Sequence, residues 1–397
     1  MYSCLSAKSL IQDPMRDPKE FSGVKQGPKR ELALDSDPNG DHYLHPAIVS
    51  LGEQYASYDI LGANSRCKAM LRTFQVVLSE YVPPPDIKDL RHDLENRILK
   101  PAFQYWTSRC RAHSVTMGNA FSFFKLAVAN LDRDVTADEA RRTLSKIIDS
   151  YVQERIDLAV EAISKHASSK IRDGDVILTY ARSDVVEVLL VDAALSHKRF
   201  RVICVDSRPL LEGRTLVERL SRAGIECTYI LLNSLSYVMK EVTKVFLGAA
   251  ALMCDGAVLS RVGTSAVALM AQSNNVPVLF CCETYKISNR VQLESITSNE
   301  LGNPQGIVST GCISVHCDID TGVDVDEKDT LNESGSVLWD WQEVPNLRLL
   351  PLLYDLTPSE LLSGIVTEMG ILPPTSVAVL LREMNPQDND SAFKSDI

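Results

Sequence analysis

Apolar residues recur at three- and four-residue spacing from Cys67 through Met70, Leu71, Phe74, Val77 and Leu78 to Tyr81, which places them along one face of a helix. Asn64 or Ser65 stands where an N-cap is wanted, and Pro83, Pro84 and Pro85 end the run. The same period predicts helices near 87–99 and 117–131. A fourth begins at Thr136, with Glu139 three residues on to complete a capping box. Its apolar face (Ala140, Leu144, Ile147, Ile148, Tyr151, Leu158, Ala159, Ile163) carries the pattern nearly to Lys170. Residues 46–171 therefore read as a helical domain, with the long last helix as a connector into a second domain.

At Asp173-Gly174 the period changes. Short β-rich runs at 176–180, 201–205, 227–232, 249–253 and 276–282 alternate with helical patterns near 184–195, 212–223, 236–246 and 264–272, and Gly224 sits at a helix C-cap position. Continuously apolar strands alternating with helices imply a parallel sheet covered on both faces, with right-handed crossovers. The fold class is α/β: an N-terminal helical domain, then a Rossmann-like doubly wound parallel sheet domain over 172–397. Asp, Gly, Ser and Glu interrupt the rhythm at about 311–340, which reads as an acidic surface insertion. Apolar runs return at 347–353 and 365–372, and 377–381 predicts a last strand. Residues 1–45, rich in Pro, Gly, Asp, Lys and Ser, cannot offset their ordering entropy and predict a disordered tail.

Composition narrows the functional classes. The 397 residues leave room for roughly two to three domains, and 45% hydrophobic with 23% charged residues suffices for a sizeable core. A net charge of −11 argues against a direct nucleic-acid surface, which needs clustered Lys and Arg. The ten cysteines are scattered, and Cys204, Cys254, Cys281 and Cys282 fall inside apolar runs as buried thiols do, so a disulfide framework is not expected. Cys312, His316 and Cys317 lie close together without a fourth ligand, and no metal is expected there. Residues 1–13 lack a signal-peptide core, and no run approaches the length needed to span a bilayer. A cytoplasmic chain, without membrane contact or cofactor, is the expectation.

Ligands of open α/β sheets bind beyond the carboxyl ends of the strands. Here those positions hold Ala181-Arg182-Ser183, Asp206-Ser207-Arg208, Asp255-Gly256 and Glu283-Thr284. The dinucleotide fingerprint, the P-loop and the nucleophile elbow are all missing, and no histidine falls at a predicted strand end. No catalytic residue is assigned. Arg182, Arg208 and Arg261 follow three predicted strands and form a candidate anion crevice with Thr264 at a helix start. Alternatively, the arginines pair with Asp206, Asp255 or Glu283, or face a partner chain.

Several separated runs carry a resemblance. They are Asp206-Ser-Arg-Pro-Leu-Leu-Glu-Gly-Arg214, Ser260-Arg-Val-Gly-Thr264, Val278-Leu-Phe-Cys-Cys-Glu-Thr-Tyr-Lys286 and Ser298-Asn-Glu-Leu301. His45-Pro-Ala-Ile-Val-Ser-Leu-Gly52, Asn64-Ser-Arg-Cys67 and Leu352-Leu-Tyr-Asp-Leu-Thr-Pro358 extend it over about 45–385. The chain resembles the family of the regulatory alpha, beta and delta subunits of eukaryotic translation initiation factor 2B and the related sugar-phosphate isomerases, with its delta branch nearest. The isomerases use a cysteine and an aspartate at positions that fall near Ala181 and Ala250, neither of which can shuttle a proton. Cys254 and Asp255 lie nearby in the wrong register.

The resemblance implies a non-catalytic scaffold and regulatory subunit of the guanine nucleotide exchange factor for initiation factor 2. Its implied partners are the beta, alpha, gamma and epsilon subunits, with exchange catalysis in epsilon, and the alpha subunit of initiation factor 2, whose phosphorylation the helical domain helps to sense. In that reading the arginine crevice is vestigial, and Leu350, Leu352 and Tyr354 lie at the subunit interface. The alternative is a sugar-phosphate isomerase, or a sugar-phosphate-binding sensor on the same fold.

Overall fold

The computed structural model describes residues 44–296 (apart from 86 and 88), 299–308 and 341–384. Residues 1–43 of the predicted tail, the 311–340 insertion and the Cys312, His316 and Cys317 cluster lie outside the described residues.

The helical half opens with α1 (Pro46–Ala56), where the His45 ring accepts a hydrogen bond from the Ala47 N–H and Pro46 takes the first position, whose N–H has no intrahelical partner. Helix α2 (Ala63–Glu80) comes next. Its cap is Gly62 at φ +87°, without a side-chain bond, rather than Asn64 or Ser65. Asn64 is buried and reaches across to the sheet domain. Helix α3 (90–110) runs well past the predicted end near 99. Pro101 removes one N–H from its ladder, and the flanking turns at Leu94–Leu99 and Trp106–Cys110 widen, which lets the helix pass through the proline. Helix α4 (Val115–Ala129) is capped by Ser114, and α5 (137–168) by the capping box of Thr136 and Glu139. Phe74 and Phe124 stack at 5.6 Å, and Trp106 donates its indole N–H to the Ile48 carbonyl at 2.8 Å in the middle of this core.

Helix α5 belongs to two cores. Leu144, Ile148, Tyr151 and Ile156 face the helical half, whereas Ile163 and Ala167 pack with Val186, Leu189 and Leu190 over the sheet. A continuous helix thus fixes one half against the other.

The sheet domain contains strands β1 (Val176–Tyr180), β2 (Arg201–Asp206), β3 (Glu226–Leu231) and β4 (Lys244–Gly248). After them come strands β5 (Ala251–Met253), β6 (Val258–Arg261), β7 (Val278–Cys281) and β8 (Ile287–Ser288), then β9 (Tyr354–Thr357), β10 (Gly364–Thr367) and β11 (Gly370–Leu372). Helices α6 (Asp184–Leu195), α7 (Gly213–Arg222), α8 (Thr264–Ser273) and α9 (Val377–Met384) cover the faces. The main sheet has the order β11-β10-β7-β4-β1-β2-β3, parallel except for β11. Apolar residues cover both of its faces, as a doubly wound sheet requires. The order reverses between β1 and β4, which is where ligands enter such sheets. A second sheet, β8-β5-β6-β9, stands beyond that reversal.

Three further sequence expectations are corrected. The segment 236–246, expected as one helix, breaks into single turns over 232–241 and then forms β4. Val245, Phe246 and Leu247 of that strand are buried on both sides of the sheet, and so short an apolar run shows no period. The run 249–253 is not a strand of the main sheet, because Gly248 ends β4 and the chain enters the second sheet as β5. Residues 377–381 form helix α9 rather than a strand, with Val377 and Leu380 buried at helical spacing. Among the described residues, no helix is long and apolar enough to cross a membrane.

Candidate functional site

The crevice at the sheet reversal is lined by Tyr180, Ala181, Arg208, Glu212, Arg261 and Leu352, among others. The backbone of its first turn is unusual: Ala181 has φ +53°, a left-handed conformation that L-residues hold only where the surroundings impose it. Ala181 donates its N–H to the Val205 carbonyl, and Ala250 donates to that of Leu259, so both serve backbone pairing and offer no titratable group. Neither Cys254 nor Asp255 lines the crevice. Asp255 accepts the Ala257 N–H at 3.0 Å. Cys254, expected from the sequence to be a core thiol, is only half-buried, with Sγ 3.5 Å from the Arg290 carbonyl oxygen. Cys281 and Cys282, by contrast, are fully buried, and burial pushes both thiols well above their ordinary range.

The candidate crevice residues do not all meet. Arg208 and Arg261 share its lining, but Arg182 turns along α6, where it pairs with Glu187 at 3.1 Å and Asp184 at 3.2 Å. Glu187 is buried and also holds Arg219 at 3.0 Å. Arg261 makes a two-pronged bond to Glu212, at 2.6 and 2.9 Å, and its guanidinium lies 5.1 Å from the Tyr354 ring centroid. These carboxylates are not those expected from the sequence. Asp206 is engaged by Ser207 and Tyr229, Asp255 by its own turn, and Glu283 by Lys286.

Thr264 is the buried first residue of α8, and its hydroxyl donates to the Arg261 carbonyl. Two of the backbone donors that open this helix are already used: Asp355 Oδ2 accepts from the Gly263 N–H at 2.7 Å and the Ser265 N–H at 3.0 Å. The room left in the crevice is about 20 Å³, enough for a water and far short of a phosphosugar.

Asp355 supplies a pH-dependence. Burial lifts its carboxyl from 3.8 to about 6, against the two N–H bonds that favour the charged form, and its Oδ1 is buried without a hydrogen-bond partner. The folded value lies above the unfolded one, so the native chain binds a proton that the unfolded chain has released. The cost of burying this charge is present above pH 6 and is relieved as the pH falls from about 6 to 4. Between pH 7.5 and 4.5, urea unfolding is expected to show the wild type gaining about 2 kcal/mol relative to Asp355→Asn, whose amide keeps an acceptor for the two N–H groups.

Two features escaped sequence reasoning. The first is a buried clamp between the halves. Glu283 accepts from Asn64 Nδ2 at 2.6 Å and stands 2.7 Å from Lys286 Nζ; Asn64 Oδ1 in turn accepts the Tyr285 hydroxyl at 2.6 Å, and Asn119 donates to the carbonyls of Tyr285 and Ile287. Burial works against the Lys286 charge, but its neighbours, Glu283 foremost, together outweigh it and hold the amine above its ordinary range. A glutamate directly after the apolar run at 278–282 was the available signal.

The second is a ribbon in which residues 299–302 run antiparallel to 351–354. Leu301 bridges Leu352, Gly302 N–H donates to the Pro351 carbonyl at 2.7 Å, and Asn299 bonds Tyr354 on both backbone groups. The ribbon presents Leu301 (58% exposed) and Leu350 (56%), while Leu352 and Tyr354 are half-buried. Leu293, in the stretch leading into it, is 91% exposed. Among the described residues, no group of three or more His, Cys, Asp and Glu side chains is placed to hold a metal.

A family model described as the initiation factor 2 subunit family matches residues 59–374. The chain is 45% identical over 347 residues to translation initiation factor eIF2B subunit delta of Dictyostelium discoideum, a match that covers 87% of this chain and 52% of that protein. It is 42% identical over 340 residues to the subunit of the same name in Schizosaccharomyces pombe, covering 86% and 69%. The chain thus spans about half the length of the first relative and about two thirds of the second. Among solved structures it is similar to a chain of the tetrameric eIF2B-beta2-delta2 complex from C. thermophilum, with a TM-score of 0.69, 29% identity, and coverage of 84% of this chain and 94% of that one.

Proposed function

The chain belongs to the initiation factor 2 subunit family, and on that footing we propose that it is a non-catalytic regulatory and scaffold subunit, of the delta type, in the guanine nucleotide exchange factor for translation initiation factor 2. One observation carries this reading. The crevice at the sheet reversal is lined by Ala181 where the resemblance to the isomerases would put a cysteine, and it is filled by the chain's own side chains, whereas an apolar ribbon beside it faces outward.

In this reading the ribbon pairs with a beta-type subunit. The alpha, gamma and epsilon subunits complete the assembly, exchange chemistry resides in epsilon, and the particle works in the cytoplasm. The helical half helps to register phosphorylation of the alpha subunit of initiation factor 2. Such sensing requires phosphorylated and unphosphorylated substrate to bind two arrangements of the assembly with different free energies.

Leu350 is the clean probe of the ribbon. Leu352 also lines the crevice and Tyr354 covers Arg261, so substitutions there disturb the fold as well as the surface. Leu350→Asp is expected to weaken pairing with a beta-type subunit by roughly ten- to a hundredfold, as removal of an interface anchor does, with unchanged circular dichroism. Unchanged pairing affinity contradicts the assignment of the ribbon. Native mass spectrometry of the chain recovered from its own cells tests the assembly itself: four other distinct subunits are expected to come with it, and a lone chain or a homodimer would overturn the proposal.

A further inference from the structure

We infer that Glu300 is a positioning residue that makes the placement of the pairing ribbon and the order of the helical half one linked property; this rests on the reading of the ribbon as the pairing surface. Glu300 lies within the ribbon, and its carbonyl accepts the Leu353 N–H at 3.1 Å. Its side chain points the other way, into the helical half. There the carboxylate binds Arg111 Nε and stands 3.7 Å from Arg66 Nη1.

Both arginines are fixed on their own side. Arg66, on α2, donates to the Ala112 carbonyl at 2.6 Å, and Arg111, just past α3, donates to that of Ile60 at 3.3 Å with its guanidinium 4.4 Å from the Tyr58 ring centroid. Side-chain exposure is 1% for Arg66 and 2% for Arg111. Two buried cations share one carboxylate, and Arg66 Nε and Arg111 Nη2 are buried without a hydrogen-bond partner. Burial, and next the neighbouring Arg111, push Arg66 below its ordinary value.

The carboxylate is therefore what permits two guanidiniums to be desolvated side by side. A ribbon that drifts outward takes the counter-charge away from both, and loops that loosen around Arg66 or Arg111 release the ribbon. A partner that holds the ribbon in its present register must then also suppress opening of the segments at 63–67 and 110–112. By reciprocity, anything that shifts those segments changes pairing.

Hydrogen exchange of the full chain, alone and with a beta-type subunit, tests the linkage. Pairing is expected to slow exchange at 63–67 and 110–112, as well as at 299–302 and 351–354, by about tenfold or more. In Glu300→Gln, which keeps the shape and loses the charge, ribbon protection by the partner persists, protection at 63–67 and 110–112 disappears, and pairing weakens about tenfold. Arg111→Lys, which keeps a cation and loses the fork, gives the same pattern in weaker form. A wild-type chain whose pairing protects the ribbon and leaves 63–67 and 110–112 unchanged overturns the linkage, and it does so whether or not the variants fold. If Leu350→Asp leaves pairing intact, the pairing-surface reading fails instead, and the two failures are thereby told apart.

Discussion

Replacing Glu283 with alanine will lower the folding stability by about 3–5 kcal/mol, the loss expected when one member of a buried ion pair is removed and the other is left behind. Glu283 is fully buried and Lys286 is 4% exposed, so water cannot replace the missing partner. After the substitution the Lys286 amine keeps only the Ala249 carbonyl, at 3.2 Å, and Asn64 loses its acceptor. Domains of this kind retain only about 5–15 kcal/mol in all, so the change consumes a large part of the reserve. Urea unfolding of the wild type, Glu283→Ala and the double variant Glu283→Ala with Lys286→Met will separate charge from packing. The double variant is expected to recover at least about 1 kcal/mol over Glu283→Ala, because the stranded ammonium is gone. A single variant within about 0.5 kcal/mol of the wild type would mean that the clamp contributes nothing to the joint between the halves.

Gly263→Ala will cost about 3 kcal/mol, combining a backbone penalty with the loss of buried hydrogen bonds. Gly263 has φ +103°, outside the range where an L side chain is comfortable. A Cβ there overlaps the Tyr180 hydroxyl, which bonds the Val262 carbonyl and Ser207 Oγ and so closes the floor of the crevice. The tyrosine cannot retreat easily, since it sits at the end of β1 within the core over that face of the sheet. Tyr180→Phe added to Gly263→Ala should recover part of the loss by removing the clashing oxygen, so the two substitutions will be less than additive. Thermal unfolding of the four combinations measures this directly, and strict additivity would show that the clash is relieved elsewhere.

Glu283 belongs to the joint with the helical half and Gly263 to the crevice at the sheet reversal. At the sheet reversal, the left-handed Ala181, the tight turn at Gly263 and the carboxylate-capped start of α8 surround a crevice that the chain's own side chains fill. At the joint, Asn64, Glu283 and Lys286 form one buried polar group and Arg66, Arg111 and Glu300 another. This division agrees with a subunit whose work is to hold and transmit the placement of its neighbours.

Local pattern determined much of this protein. The period-of-four faces of α2 and α5, the capping box at Thr136 and Glu139, and the strand–helix alternation from Val176 onward obey rules that act over a few residues, and they lead directly to a helical half joined to a doubly wound sheet. The motifs around Asp206–Arg214 and Val278–Lys286 point to the family for the same reason: they are contiguous in the chain. Tertiary structure alone decided what depends on partners far apart in sequence. Asn64 has the chemistry of a cap, yet Glu283, 219 residues away, claims its amide. Val245, Phe246 and Leu247 show no period because burial on both faces makes every position apolar. Arg182 and Arg261 carry the same charge at strand ends, but Arg182 is drawn to the helix after it and Arg261 to Glu212 across the crevice. Glu300 is one letter of a motif until the fold sets two desolvated guanidiniums against it. Periodicity and propensity are properties of neighbours along the chain, whereas the energy of a buried charge depends on which other charge the fold brings within a few ångströms of it, and no local rule contains that distance.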